Sequence, residues 1–298
     1  MKSRRVLVAA PLLIAALALS GCGTGAPGKN SAGQLTVVAS FYPLQFAAAQ
    51  IGGDHVAVTS LTKPGAEPHD IELTTHDVAM VSTAGLVIYE KGLQGAVDKA
   101  AESQAADRSL NVAPAANLTL RLTSGATDPH FWLDPQRYSN VANEIAARLS
   151  SADPANKADY EKNAKVFVDK LATISEEFTR GLANCQRRDL VTSHAAFGYL
   201  AQRFGMRQVA INGISPDQEP NATELAAVSN YARAHGVTTV YAETLASPAI
   251  AATVARESGA RVATLDPIEG LTKQSAGKDY FEVMRSNLTA LRAGQGCS

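Results

Sequence analysis

The chain has 298 residues, a net charge of −1 and 46% hydrophobic residues. A charge balance this close to zero speaks against nucleic acid or an acidic surface as partner. Beyond an N-terminal leader and tether about 265 residues remain, enough for two modest domains or one large one.

The chain opens with Lys2, Arg4 and Arg5, followed by an uncharged apolar run from Val6 to Leu19. That run is short for a membrane span and has the form of a secretory signal. Leu19-Ser20-Gly21-Cys22 resembles a bacterial lipobox, in which the cysteine becomes the first mature residue and carries lipid. Residues 1–21 are therefore expected to be a signal peptide, with Cys22 the lipidated residue. Residues 22–33, rich in Gly, Ser and Thr, are expected to be a flexible tether. The expected location is extracytoplasmic, anchored to the membrane through the lipid without spanning it. Cys185 and Cys297 are left as an even remainder, which in an exported protein suggests one disulfide. Asn117, Asn221 and Asn287 open glycosylation-type triplets, which the bacterial lipobox discounts.

Leu35–Ala39 reads as a buried strand, and Pro43 opens a helix that Gly52-Gly53 stops. Val56–Leu61 is the second strand and feeds the loop Lys63–Asp70. Thr74 or Thr75 caps a helix to about Ala84. Leu86–Tyr89 is a strand, Gln94–Gln104 a helix and Ser109–Val112 a short strand. A polar segment to Thr127 precedes Asp128-Pro129-His130-Phe131-Trp132-Leu133-Asp134-Pro135, which holds the only tryptophan, and a helix then runs from Gln136 to about Leu149. From Pro154 to Asn184 apolar residues recur at three- and four-residue steps (Tyr160, Ala164, Phe167, Val168, Leu171, Ile174, Phe178, Leu182), the mark of one long amphipathic helix. Strands alternating with helices then resume: strands at Leu190–Ser193, Met206–Ala210, Val237–Ala242 and Arg261–Leu265, helices at Phe197–Phe204, Asn221–Ala234, after Pro248, and at Asp279–Leu291. The expected fold class is α/β: two Rossmann-like lobes with parallel sheets, residues 34–152 and 186–298, joined by one long linking helix over 153–185, with a metal site in the interlobe cleft.

Four residues stand out as candidate ligands. His69, His130, His194 and Asp266 each lie at the end of an apolar run beside Pro or Ser, two in each half. In open α/β sheets ligands bind at the C-terminal strand edge. Three imidazoles and a carboxylate complete a tetrahedral zinc with no position left for water. Taken alone, the same four could be unrelated structural residues, since spacing this wide carries no intrinsic metal signature. His55, His76 and His235 read as a turn residue, a first-turn surface residue and a helix C-cap respectively. Glu243 ends a strand; it reads as a helix-entry carboxylate in preference to an orienting partner for a histidine. Asp128 and Asp134 beside His130 carry the same ambiguity.

Five motifs in order carry a family resemblance: Pro64–Glu72, Asp128–Pro135, Thr192–Tyr199, Ile214–Pro220 and Thr264–Pro267. The mature chain resembles the zinc- and manganese-binding solute-binding lipoproteins of bacterial ABC transporters, the metal-binding cluster A-I. The resemblance implies a receptor that hands its metal to an ABC transporter permease. It implies two α/β lobes on a rigid connecting helix and metal exchange by local loop motion. Its metal ligands fall on His69, His130, His194 and Asp266.

Manganese-directed members of the family place a carboxylate where this chain has His194. Three imidazoles favour Zn2+ over Mn2+, which prefers oxygen. Many zinc members carry a histidine-rich loop in the first lobe, but residues 104–127 contain no histidine. Either zinc is captured without such a loop, or a metallochaperone loads it, or the receptor is a broader one that takes Mn2+ or other divalent metals. Two readings of other classes stand beside the receptor: a zinc hydrolase, for which no HExxH-like pair is present, and a surface adhesin. Binding through neutral imidazoles should weaken steeply below about pH 6.5.

Overall fold

The computed structural model describes residues 28–122, 124–215 and 220–298. The expected signal peptide, Cys22, the first half of the tether and Pro216–Glu219 lie outside the described residues. Among the described residues no helix is long and apolar enough to cross a membrane.

The first lobe is built on β1 (Leu35–Ala39), β2 (Val56–Ser60), β3 (Leu86–Tyr89) and β4 (Ser109–Asn111), all parallel, in the order β2-β1-β3-β4. Helices α1 (Tyr42–Gly52), α2 (Thr75–Thr83) and α3 (Gly95–Gln104) make the crossovers. The central strand β3 is buried at every residue, as expected where helices cover both faces of a parallel sheet. Thr74 caps α2 in a reciprocal box with Asp77. A short helix α4 (Ala113–Ala116) lies in the segment that reads as polar loop from sequence; four residues with Pro114 in the first turn give no periodic signal.

Residues expected to end the tether are folded back onto β1. Gly28 O accepts the Thr36 N–H at 2.8 Å, and Lys29 Nζ donates to Asp153 Oδ1 at 3.0 Å. Gly28 sits at φ 80° against Gly85, where a Cβ would come within 2.5 Å of the Gly85 Cα, so this contact requires glycine.

The second lobe repeats the first. Strands β5 (Asp189–Thr192), β6 (Arg207–Ala210), β7 (Thr239–Ala242) and β8 (Arg261–Thr264) are parallel in the order β6-β5-β7-β8, which is the same winding. Their crossovers are α7 (Gly198–Arg203), α8 (Ala222–Ala234) and α9 (Ala249–Ser258).

Helix α5 (Pro135–Ala152) packs on the first lobe against α1 and α4, α6 (Lys157–Gly181) lies against α5, α1 and α10, and α10 (Tyr280–Gln295) closes the chain. The long helix begins later than its apolar period suggests, because Pro154–Asn156 form a 3-10 turn. Asp153, restricted by the proline after it, ends α5 and accepts from Asn156 Nδ2 and Tyr160 Oη. At 1.5 Å per residue the 25 residues of α6 span roughly 38 Å. Its buried stripe is Tyr160, Ala164, Phe167, Leu171, Ile174 and Phe178, and these join one core cluster with Phe41, Trp132 and Tyr138 on one side and Tyr280 and Phe281 on the other. A continuous core of this kind welds the lobes together, since opening it would expose large aromatic surfaces. Cys185 and Cys297 form a disulfide that ties the entry of the second lobe to the chain end.

Candidate metal centre

Each histidine is delivered by a different kind of local structure. His69 lies on the loop from β2 to α2, where its backbone N–H donates to Glu67 Oε1 at 2.9 Å. His130 follows Asp128-Pro129 and enters the 3-10 turn Phe131–Leu133. His194 stands two residues beyond β5, where its carbonyl accepts from Thr192 Oγ1 and Gln208 Nε2. His130 and His194 are fully buried, and the His69 side chain is 5% exposed.

The three rings converge. Nε2 of His69, His130 and His194 lie 3.3, 3.1 and 3.3 Å from a single oxygen, Oε1 of Glu269, and the four donor atoms all sit within 4.8 Å of one another. A tetrahedral zinc with bonds of 2.0–2.1 Å would separate its ligand atoms by about 3.4 Å. The nitrogen-to-oxygen distances already match that edge, and the donor set fits the ion in its chemistry.

Asp266, the fourth ligand expected from sequence, is not in this group. Its Oδ1 accepts the Ile268 N–H at 2.8 Å and its Oδ2 accepts from Ser275 Oγ at 2.7 Å, so both oxygens are engaged outside the histidine cluster. The carboxylate that meets the three rings is that of Glu269. It lies three residues further along the same proline-containing turn, and nothing in the local pattern of Asp266-Pro267-Ile268-Glu269 separates two carboxylates so close together. The backbone between them passes through Ile268, which stands at φ 58°.

The other imidazole nitrogens are also held. His130 Nδ1 lies 2.8 Å from Asp128 Oδ1, which also accepts the His130 backbone N–H at 2.9 Å. His194 Nδ1 lies 2.6 Å from Glu243 Oε2, while Glu243 Oε1 accepts the His194 N–H at 2.9 Å. Glu243 is thus a histidine-orienting carboxylate, not the helix-entry residue preferred from sequence. It follows β7 directly, and β7 pairs with the strand that carries His194. Asp134 resolves the other way: it caps α5 through the Gln136 N–H and lies near Arg137 and Arg203. A carboxylate behind Nδ1 fixes the tautomer with Nε2 facing the metal and raises ligand basicity.

The electrostatics follow from these contacts. Burial pulls the His130 and His194 pKa values down, but Asp128 and Glu269 at the first and Glu243 and Glu269 at the second outweigh it and raise both above the usual histidine value. His69 has no such brace: burial dominates and its pKa falls despite Glu269. Burial pushes the Glu269 carboxyl upward, but His194 and the hydrogen bonds from all three rings hold it well below the ordinary range. Glu269 is therefore an anion facing imidazoles.

The remaining histidines stand apart. His55 pairs with Asp159 at 2.9 Å, His76 is exposed in the first turn of α2, and His235 caps α8 while stacking on Tyr231.

This chain is similar to known metal-binding proteins along most of its length. The model of a family described as "Zinc-uptake complex component A periplasmic" matches residues 37–294. A zinc-binding protein AdcA of Streptococcus pyogenes is 35% identical over 87% of this chain and 56% of its own length, so the chain spans about half of that relative. The high-affinity zinc uptake system protein ZnuA of Bacillus subtilis is 35% identical over 96% of this chain and 95% of its own. Among solved structures, the Zn(II)-bound ZnuA-like domain of Streptococcus pneumoniae AdcA superposes with a TM-score of 0.76 at 35% identity, covering 88% of this chain and 99% of that one. With two matching parallel sheets, a His3Glu cluster between them and these similarities, the chain belongs to the family of the periplasmic zinc-uptake component A.

Proposed function

We propose that this protein is the extracytoplasmic receptor of an ABC zinc importer. It captures one Zn2+ on His69, His130, His194 and Glu269 and delivers it to a membrane permease. Lipid at Cys22 holds it at the membrane. The observation that carries the reading is the convergence of three imidazole Nε2 atoms on one buried carboxylate oxygen, with two of the rings braced from behind. Three nitrogens and an oxygen favour zinc over manganese. Four donors also fill a tetrahedral zinc and leave no position for a reacting water, which supports a receptor that carries the ion as cargo rather than an enzyme.

The test is native mass spectrometry of the soluble chain from Gly23 onward, stripped of metal and then offered zinc against excess manganese. One zinc per chain, retained against manganese and lost in Glu269→Gln, is the expected result. Equal retention of manganese would make the receptor a general divalent-metal one. Unchanged zinc binding by Glu269→Gln would remove Glu269 from the ligand set.

A further inference from the structure

Ile268, the residue immediately before Glu269, sits at φ 58° and is fully buried. Left-handed backbone is costly for any L residue and most costly for a β-branched one. Such a conformation persists where its surroundings over-determine it. Here they do. Asp266 Oδ1 accepts the Ile268 N–H, and Ser275 Oγ donates to the other oxygen of the same carboxylate. Asn287 on α10 clamps the Asp266 backbone from both sides, accepting its N–H at 2.9 Å and donating to its carbonyl at 2.7 Å. From the first lobe, Trp132 Nε1 donates to the Pro267 carbonyl at 2.7 Å. Trp132 is two residues past His130, and its own carbonyl accepts from Tyr280 Oη. The turn that carries one metal-facing group is thus tied to the segment that carries another.

We propose that Asp266 is a positioning residue. With Trp132 and Asn287 it holds a strained left-handed turn at Ile268 that aims Glu269 at the zinc, and relaxation of that turn speeds zinc release. The proposal rests on Glu269 being a zinc ligand. It turns the residue that sequence points to as a ligand into the one that steers the ligand. It also gives the buried site a way to let go that leaves the welded interlobe core intact, because the stored strain lies in the few residues that end in the carboxylate.

Two pairs of variants test it, with zinc dissociation followed by stopped-flow transfer to a chelator. Ile268→Ala and Ile268→Gly remove nearly the same packing, but only glycine removes the cost of positive φ. Ile268→Gly should release zinc about tenfold more slowly than Ile268→Ala, the ratio set by the usual cost of left-handed backbone. Equal rates, or faster release by the glycine variant, would overturn the role of strain. Asp266→Asn keeps an oxygen for the Ile268 N–H and should bind zinc nearly as the parent does, whereas Asp266→Ala should lose about tenfold in affinity or more. Equal losses in the two would make Asp266 a ligand and overturn the positioning role. Glu269→Gln separates the layers. If it binds zinc normally, the ligand assignment and this proposal fall together. If it loses zinc while the alanine and glycine variants behave alike, the proposal alone fails.

Discussion

His130 and His194 differ from His69 in one respect that changes their chemistry. The first two have a carboxylate on each side of the ring, one behind Nδ1 and one in front of Nε2. His69 has Glu269 in front, but among the described residues no partner lies at its Nδ1, and Glu67 holds its backbone N–H rather than its ring. The braced pair therefore keeps a proton above the usual histidine value, while burial makes His69 give its proton up below it. On the proposed reading, two preset donors from which zinc would have to displace protons stand beside a third, on a loop, that holds its proton less firmly. Burial alone does not make a histidine a preorganised ligand; the partner behind the ring does.

The largest effect should come from deleting a ring. An assembled zinc site of this type is worth about 10–16 kcal/mol shared among four ligands, so His130→Ala or His194→Ala should each weaken zinc by roughly a hundred- to a thousandfold in a chelator competition assay. His69→Ala should cost less than either, since its ring is less constrained before the metal arrives. If His69→Ala proved the most damaging of the three, the braces would not set the order of the ligands.

The pH dependence sharpens the comparison next. A histidine whose pKa is raised in the metal-free protein holds its proton to higher pH, and zinc must displace it. Affinity should therefore be full at alkaline pH and begin to fall above the ordinary histidine value of 6.5, not only below it. With two protons displaced the loss approaches about a hundredfold per pH unit. His69, lowered instead of raised, gives up its proton at lower pH than the braced pair and adds less to the steepness. Zinc titrations at pH 8, 7 and 6 with a fluorescent competitor measure this. A flat profile from pH 8 to 6 would mean that neither braced ring is protonated in the empty site.

Much of this architecture can be read in the linear chain, and the reason differs by residue. The strands of both lobes announce themselves as short β-branched runs, and α6 through the period that places Tyr160, Phe167, Leu171, Ile174 and Phe178 on one stripe. The three histidines stand out because each sits where a strand or proline bracket ends. Glu269 does not, because the backbone between it and Asp266 passes through φ 58° at Ile268, and an isoleucine gives no hint of left-handed backbone. Glu243 is hidden for another reason. Its pairing with His194 is made across 49 residues by the adjacency of β5 and β7, which strand order determines and local pattern does not. Asp128 could be seen as a candidate because it is two residues from its histidine.

The braces give the next effect in size. Glu243→Gln and Asp128→Asn keep the shape and remove the charge behind Nδ1, and partners of this kind are worth about 10–100-fold in metal affinity. Each should also make the pH profile shallower, because the proton on its histidine is then held less tightly. Both readouts must move together if the carboxylate acts through the ring.

Glu67→Gln is the smallest and the most discriminating. Glu67 lies beside a metal-facing histidine, as Asp128 and Glu243 do, with 3.9 Å between its Oε1 and His69 Nε2. Its bond is to the His69 backbone, and a glutamine Oε1 can still accept that N–H. The variant should therefore lose no more than about threefold in zinc affinity, the scale of one modest hydrogen bond in the loop, with no change in the slope of the pH profile. Isothermal titration at two pH values reads both quantities. A loss equal to that of Glu243→Gln would mean that Glu67 steers the His69 ring after all, and the site would then have three braced histidines instead of two. A small loss leaves His69 as the ligand held least firmly, and makes its loop the part of the site whose mobility should be compared with that of the Asp266–Glu269 turn during zinc release.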